Sequence, residues 1–186
     1  KTTIDKQFEY NTYIRDFFEA NHGKSLEEAI ICWKYKKSLQ GHNRYERSDG
    51  SLVWYPTVIH GVDLNVDRAA IIAKYGENSA DNASLHIRYH AGDNGEIVIA
   101  NRFYLLPKAW ENQTNDLLPR SITFTTGQNA DFFWQGEWSG EAIILDSDYE
   151  NKNGFYNYMN RKYDHVYMIT SVAQYSVIPH FEIMGK

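Results

Sequence analysis

Histidines and carboxylates at short spacings are the residues of this sequence that could support chemistry. His86 and His90 lie on one face of a predicted strand, where 3.3 Å per residue separates them by about 13 Å, too far to bind one metal ion. The run that starts at Asp146 begins like a calcium-binding loop, but Asn151 stands where that loop needs glycine. We therefore predict a polar sheet face around His86 and a solvated acidic loop at Asp146 that caps the following helix.

Signatures of known catalytic chemistry are missing from the sequence. It contains no nucleophile elbow, no phosphate-binding glycine loop and no paired Cys-x-x-Cys. The single cysteine, Cys32, excludes an internal disulfide bond, and no apolar run is long enough to cross a bilayer. The sequence therefore predicts a protein that is not an enzyme, with no catalytic residue, no metal ligand, no cofactor and no membrane partner.

The charge is unevenly distributed along the 186 residues. Residues 1–50 carry nine Lys/Arg and eight Asp/Glu, whereas residues 51–186 carry ten and sixteen, a net charge of −6. Proteins that wrap duplex DNA gain affinity by neutralising phosphates. An acidic main body therefore argues against that mode of binding, although it allows the body to lie beside DNA without adhering to it.

The N-terminal part of the chain has a helical pattern. Apolar residues recur at helical spacing over residues 8–38, and Ser25 with Glu28 forms a capping box at the start of a second helix. A polar stretch from Gln40 to Ser51 follows and marks a module boundary. We therefore predict two domains: a helical αα-hairpin module over residues 1–50 and a second domain over residues 51–186.

The second domain is predicted to be built mainly from short strands, with one short helix at residues 154–163, so that the whole chain is α+β and mainly β. Asp93-Asn94-Gly95 is a strong hairpin turn, and Pro179 lacks an amide donor, which predicts that the last strand lies at an edge or carries a bulge. Residues 105–119 are predicted to be a long irregular binding loop. The predicted strands are residues 53–62, 83–89, 96–104, 121–126, 131–137, 142–145, 166–172 and 177–184.

The order of several aromatic segments in residues 52–186 is informative. These segments are residues 54–62, 81–87, 131–137, 163–172 and 180–186. In this order they resemble the small neck, or head–tail connector, proteins of tailed bacteriophages that infect Gram-positive bacteria. The resemblance implies a structural virion protein, assembled in the host cytoplasm. It implies that residues 51–186 form a small antiparallel β-barrel with one short helix, and that such protomers form a ring that joins the DNA-filled head to the tail. It leaves both the head-closure and the tail-completion role open.

The partners that this resemblance implies are other copies of the chain in the ring, the portal or adaptor and tail proteins, and DNA passing through the channel. Exposed aromatic side chains are typical anchors of such interfaces. Trp138 lies on a predicted turn, although a place in the barrel core is an equally good interpretation. The candidate partner contacts are Tyr104, Trp110, Trp138, Pro179 and Phe181.

A second resemblance covers residues 7–49 and depends on residues 7–18, 23–25, 29–37 and 41–46. These are similar to a short domain of unknown function that follows DNA-binding SAP domains in bacterial proteins. Cations alternate with aromatic residues here, as on nucleic-acid-binding surfaces, but the lysines also fit the last turn of a helix. The alternative function is therefore a nucleic-acid-associated or anti-defence binding protein. Its candidate contacts are Lys34, Lys36, Lys37, Arg44 and Arg47.

Overall fold

The computed structural model describes residues 37–66, 82–114, 116–136 and 138–186, together with three separate positions, Arg15, Ser25 and Leu26. The predicted αα-hairpin of residues 8–38 therefore lies almost entirely outside the described residues. The remainder of the predicted first domain, from Lys37 onwards, is described and belongs to a sheet.

Strands dominate the described ranges, and the helices are short. The strands are β1 (Lys37–Glu46), β2 (Leu52–Asn65), β3 (Ala83–Arg88), β4 (His90–Ala91), β5 (Ile97–Ile99), β6 (Arg102–Tyr104), β7 (Ser121–Ile122), β8 (Phe132–Trp134), β9 (Ile144–Leu145), β10 (Val166–Tyr175) and β11 (His180–Gly185). The α-helices are α1 (Pro107–Glu111) and α2 (Phe155–Lys162), and 3-10 turns occupy Leu118–Arg120, Gly127–Asn129 and Asp146–Lys152.

The strands form two sheets. Seven of them pair in the order β1-β8-β10-β11-β3-β2-β9, and β1 also pairs with β2. The second sheet has the order β4-β5-β6-β7, in which β6 and β7 are parallel. The last strand along the sequence, β11, therefore lies inside the larger sheet between β10 and β3.

Strand β1 and the turn that joins it to β2 are formed by residues that the sequence assigned to the helical module and its boundary, whereas β2 covers the strand predicted at residues 53–62. Gly50 has a φ of 80°, and its N–H donates to the Arg47 carbonyl at 2.9 Å. The Asp49 carboxylate accepts the Ser51 N–H at 2.9 Å and closes the same turn. Glycine adopts this positive φ without steric cost, so the polar stretch forms a tight turn between two paired strands.

Two bulges fold the larger sheet over its own apolar face. In β2, Gly61 has a φ of 68° and no partner opposite it, because Ser38 pairs with His60 and Lys37 with Val62. In β10, Thr170 is the extra residue. A bulge bends its strand and increases the local twist. Strand β2 accordingly pairs mainly with β1 before its bulge and with β3 after it, and β10 pairs with β8 before its bulge and mainly with β11 after it.

The expected β-barrel is therefore wrong. The fold is a small α+β, sandwich-like arrangement of two sheets and is mostly β, without a closed barrel. Strand β9 pairs only with β2, and β4 to β7 form a sheet of their own, so these strands lie outside any cylinder. The pattern of short strands indicated the β content correctly, but the two bulges and the second sheet set the architecture.

Three clusters of buried residues hold these layers together. The largest fills the folded sheet and includes Leu85, Ile87 and Ile183. A second cluster packs α2 against the sheet through Phe155 and Met159. The third lies beneath α1 and is formed by Val53, Tyr55, Trp110 and Leu118. Residues on both faces of β2 are buried, which explains why its start lacks the polar alternation of a half-exposed strand.

Other local predictions differ in outcome. The Asp93-Asn94-Gly95 turn is confirmed, with Gly95 at a φ of 83°, and so is the short helix near residues 154–163. The prediction that the last strand lies at an edge or carries a bulge because of Pro179 is wrong: the proline precedes β11, in the turn after β10. Residues 105–119 are not irregular throughout, because they contain α1.

Candidate interaction surfaces

His42 is a buried titratable side chain with no chemical role in this geometry. Its ring stacks on Phe132 at 4.4 Å between centroids and lies 5.4 Å from Phe155. Neither ring nitrogen has a hydrogen-bond partner among the residues that the structure describes, and burial lowers the pKa of His42 to about 3. The imidazole is therefore neutral at physiological pH and acts as an aromatic residue of the core.

Asp131 is the buried carboxylate, and it connects segments of the fold. Its two oxygens accept the main-chain N–H groups of Arg44 and Thr125, each at 2.7 Å. Burial raises the pKa of Asp131 to about 7, against the opposing effect of these hydrogen bonds. The side chain thus joins β1 to the segment after β7, which is a structural role.

The acidic run at Asp146 caps α2, as the sequence predicted. The Asp146 Oδ1 atom accepts the Phe155 N–H at 2.9 Å and the Trp54 Nε1–H at 2.8 Å. This carboxylate therefore connects the first turn of α2 to β2. In the described part of the chain, no group of three or more His, Cys, Asp or Glu side chains could hold a metal ion.

His86, at the centre of the predicted polar face, lies within β3. His86 is half-buried and its ring lies 5.6 Å from that of His180 on β11. His90 belongs to β4 and therefore to the other sheet. His86 and His90, which the sequence predicted on one face of a single strand, therefore belong to two different sheets.

Three of the five candidate partner contacts lie within the packed interior. Trp110 and Phe181 are buried, and the Trp110 Nε1–H donates to the Arg44 carbonyl at 2.9 Å. Tyr104 is half-buried against Phe181, with ring centroids 4.6 Å apart. Trp110 and Phe181 therefore offer no surface to a partner, and Tyr104 offers little.

Trp138 and Pro179 are the two candidates that reach solvent. Trp138 is half-buried with its ring edge against Phe155 at 5.2 Å, and its Nε1–H donates to the Glu141 carbonyl at 3.1 Å. Both placements that the sequence left open for Trp138 therefore apply in part. Pro179 is exposed in the turn between β10 and β11. The five candidates do not form one surface.

The turn that contains Pro179 carries the most exposed aliphatic side chains of the described residues. We call residues 176–179 the hairpin tip. Val177 is 96% exposed and Ile178 is 69% exposed. Neither residue was predicted as a contact, because the sequence pattern placed both in a strand. Two aliphatic residues between Ser176 and Pro179 were the available signal, since such a turn normally carries polar residues.

The base of the hairpin tip is ordered by several contacts. The rings of Tyr175 and His180 stack at 4.7 Å with an interplanar angle of 6°. The Tyr175 hydroxyl donates to Glu182 at 3.1 Å, and the Tyr89 hydroxyl donates to the Tyr175 carbonyl at 2.8 Å. The Tyr89 N–H donates to the Pro179 carbonyl at 3.3 Å. The apolar side chains are therefore presented on a preorganised support.

Two of the candidate nucleic-acid contacts lie together. Arg44 and Arg47 line a cleft of about 460 Å³ with Tyr45 and Ser48 on its wall. Glu46 and Glu111 also line it, so its charge is mixed. Lys34 and Lys36 lie outside the described residues, and only the backbone of Lys37, in β1, is described.

Comparison with known proteins identifies one protein family. The match covers residues 41–186, and the family is described as "Family of unknown function (DUF6751)". Neither the curated proteins nor the solved structures give a match to this sequence. Within the described ranges, no helix has the length and apolar character that crossing a membrane requires.

Proposed function

This chain belongs to the DUF6751 family, and we propose that it is a structural virion protein: a protomer of the neck ring that joins head and tail in a tailed bacteriophage. The observation that carries the proposal is the hairpin tip. Val177 and Ile178 are adjacent, aliphatic and exposed, Val177 almost completely and Ile178 for about two thirds of its surface, on an ordered support. Large apolar side chains that cluster on a surface mark sites of association.

Estimates of the binding energy also support association through the hairpin tip. Burying one Val or Ile side chain contributes roughly 1.5–3 kcal/mol, so two of them on one turn provide a useful part of an interface. Because stacking and hydrogen bonds already order the tip, association costs little additional conformational entropy. The net charge of −6 over residues 51–186 supports a body that lies along a DNA conduit without adhering to the DNA.

Removing the apolar tip is expected to abolish self-assembly. The double variant Val177→Asp and Ile178→Asp places two carboxylates where an interface would have to bury them. Multi-angle light scattering over a concentration series should give the parent a mass several times 21.7 kDa and the variant 21.7 kDa, the mass of one chain.

The matched control is Leu106→Asp with Leu117→Asp, which changes two other exposed aliphatic residues by the same chemistry. This control should keep the mass of the parent. A parent that remains a single chain at every concentration would contradict the proposal, and so would a tip variant that assembles like the parent.

A second candidate function is favoured by the cleft that Arg44 and Arg47 line beside Tyr45. Guanidinium groups next to an aromatic ring suit a single-stranded nucleic acid, in which phosphates are neutralised and bases stack. In this function the protein is a nucleic-acid-associated or anti-defence binding protein.

Changing both arginines to alanine is expected to reduce salt-sensitive binding of a fluorescent single-stranded oligonucleotide, measured by anisotropy. Each lost phosphate contact should lower the slope of log affinity against log salt by about 1. Arg120→Ala with Arg161→Ala removes the same charge from two exposed positions outside the cleft and is the control. No binding by the parent, or equal binding by both double variants, excludes the cleft as the contact.

A further inference from the structure

The fold brings His86 next to a histidine that is distant in the sequence. His86 lies on β3 and His180 on β11, and their ring centroids are 5.6 Å apart at an interplanar angle of 36°. In register, His86 pairs with Glu182 and His180 pairs with Arg88, so the two histidines are diagonal neighbours on one face of the sheet. Both side chains are half-buried and retain access to solvent.

This separation suits two imidazoles that share one metal ion. A tetrahedral Zn²⁺ ion binds each imidazole nitrogen at about 2.0–2.1 Å, which places the centres of two such rings roughly 5–6 Å apart. Imidazole is a ligand for zinc, copper and nickel ions. A pair of histidines is smaller than the groups of three or more ligands that the described residues lack, so water would complete the coordination.

Hydrogen bonds determine which nitrogen of each ring can bind a metal ion. His180 Nδ1 lies 2.7 Å from the Ile178 carbonyl, which can only accept, so Nδ1 carries the proton and Nε2 carries the lone pair. The Tyr175 ring stacks on His180 and fixes its plane. His86 Nε2 lies 3.3 Å from Ser84 Oγ, and in the tautomer that donates to this hydroxyl, Nδ1 carries the lone pair. Metal-binding histidines are usually held by such a contact through their other nitrogen.

Carboxylates on both neighbouring strands favour a cation at this pair. Asp63 on β2 and Glu182 on β11 are the residues in register with His86. One Glu182 oxygen accepts the Tyr175 hydroxyl at 3.1 Å, which orients the carboxylate. Among the residues in register with the two histidines, two carboxylates therefore accompany one guanidinium group, that of Arg88. Opposite charge nearby attracts a divalent cation to the two rings.

We propose that His86 and His180 form a two-histidine binding site for a divalent ion of the zinc, nickel and copper class. A bound ion would connect β3 to β11 at the base of the hairpin tip. The inference goes beyond the proposed function, because it requires neither a second copy of the chain nor a nucleic acid.

Titration of the full chain with ZnCl₂, followed by isothermal titration calorimetry, tests the site. The parent should bind one Zn²⁺ per chain. His86→Phe and His180→Phe should each weaken binding by at least about 100-fold, because even the loss of a residue that only supports a ligand costs roughly 10–100-fold. Phenylalanine keeps a ring at each position, including the ring that stacks on Tyr175. The matched controls His90→Phe and His165→Phe change two exposed histidines and should bind like the parent.

Spectroscopy of the Cu²⁺ complex separates the loss of a ligand from a loss of stability. Electron paramagnetic resonance should resolve two imidazole nitrogens bound to Cu²⁺ in the parent and one in each of the variants His86→Phe and His180→Phe. Excess Mg²⁺ should leave the Zn²⁺ affinity unchanged, because Mg²⁺ prefers oxygen ligands.

Four results would overturn the two-histidine site. These are a parent that does not bind Zn²⁺, a His86→Phe or His180→Phe variant that keeps the affinity of the parent, control variants that lose as much affinity as these two, and displacement of Zn²⁺ by Mg²⁺. The last result would assign the binding to the carboxylates instead of the imidazoles. None of these results bears on the light-scattering test of the hairpin tip.

Discussion

Replacing Asp131 with alanine is expected to lower the free energy of unfolding by about 3 kcal/mol, because each buried N–H left without an acceptor costs roughly 1–3 kcal/mol. The two donors concerned are the main-chain N–H groups of Arg44 and Thr125, both 2.7 Å from the carboxylate. Urea unfolding followed by circular dichroism measures the loss as a lower midpoint at an unchanged slope.

Asp116→Ala is the matched control, because Asp116 is exposed and its replacement should change the free energy of unfolding by less than about 0.5 kcal/mol. An Asp131→Ala variant as stable as this control would show that water satisfies both N–H groups and that the carboxylate does not hold β1 in place.

Replacing His42 with phenylalanine is expected to make the protein less sensitive to acid. The pKa of His42 in the folded chain is about 3, below its ordinary value of 6.5, so between these pH values the unfolded chain binds a proton that the folded chain does not. The stability that a neutral His42 contributes is therefore complete above pH 6.5 and is lost as the pH falls. Relative to the parent, the variant should gain about 2 kcal/mol of unfolding free energy between pH 7 and pH 5.

The test requires the difference in unfolding free energy between variant and parent, because Asp131 changes the stability with pH in the opposite direction. Its folded-state pKa of about 7 exceeds its ordinary value of 3.8, so its contribution to stability increases as the pH falls through this range. The two contributions partly cancel in the parent. Urea unfolding at pH 5, 6 and 7 of the parent, His42→Phe and the control His90→Phe, at an exposed position, isolates the effect of His42. A gain that is the same at all three pH values would contradict a buried neutral imidazole.

Strand β1 shows why part of this fold could not be predicted from the sequence. Gln40, His42 and Asn43 are buried although they are polar, so the strand lacks the alternation of apolar and polar residues that identifies a half-buried strand. Only the long-range partners of these side chains, such as the Thr123 carbonyl that accepts the Asn43 Nδ2–H at 2.7 Å, explain their burial.

The predicted strand at residues 96–104 is a second example. It consists of β5 and β6, joined by a two-residue turn in which Ala100 and Asn101 have φ values of 49° and 60°. Asparagine tolerates this conformation, but alanine rarely adopts it, so the dipeptide gave no clear turn signal. By contrast, the Asp93-Asn94-Gly95 turn was predictable, because glycine supplies the positive φ directly.

The candidate sites were harder to predict from the sequence than the strands were. Aromatic residues such as Trp110 and Phe181 were assigned to a surface because aromatic residues anchor interfaces, yet the same residues also fill cores, and they are buried here. Val177 and Ile178 extend an apolar strand pattern, so the turn that Ser176 and Pro179 flank was predicted as part of a strand. Exposure depends on which strands pair, which composition does not specify.

The central position of β11 has a consequence for synthesis. Residues 180–185 pair with β10 on one side and β3 on the other, although these two strands are made earlier. While the nascent chain lacks them, both neighbours present unpaired N–H and C=O groups that can pair with other chains. The larger sheet is therefore incomplete, with two open edges, until these residues have left the ribosome.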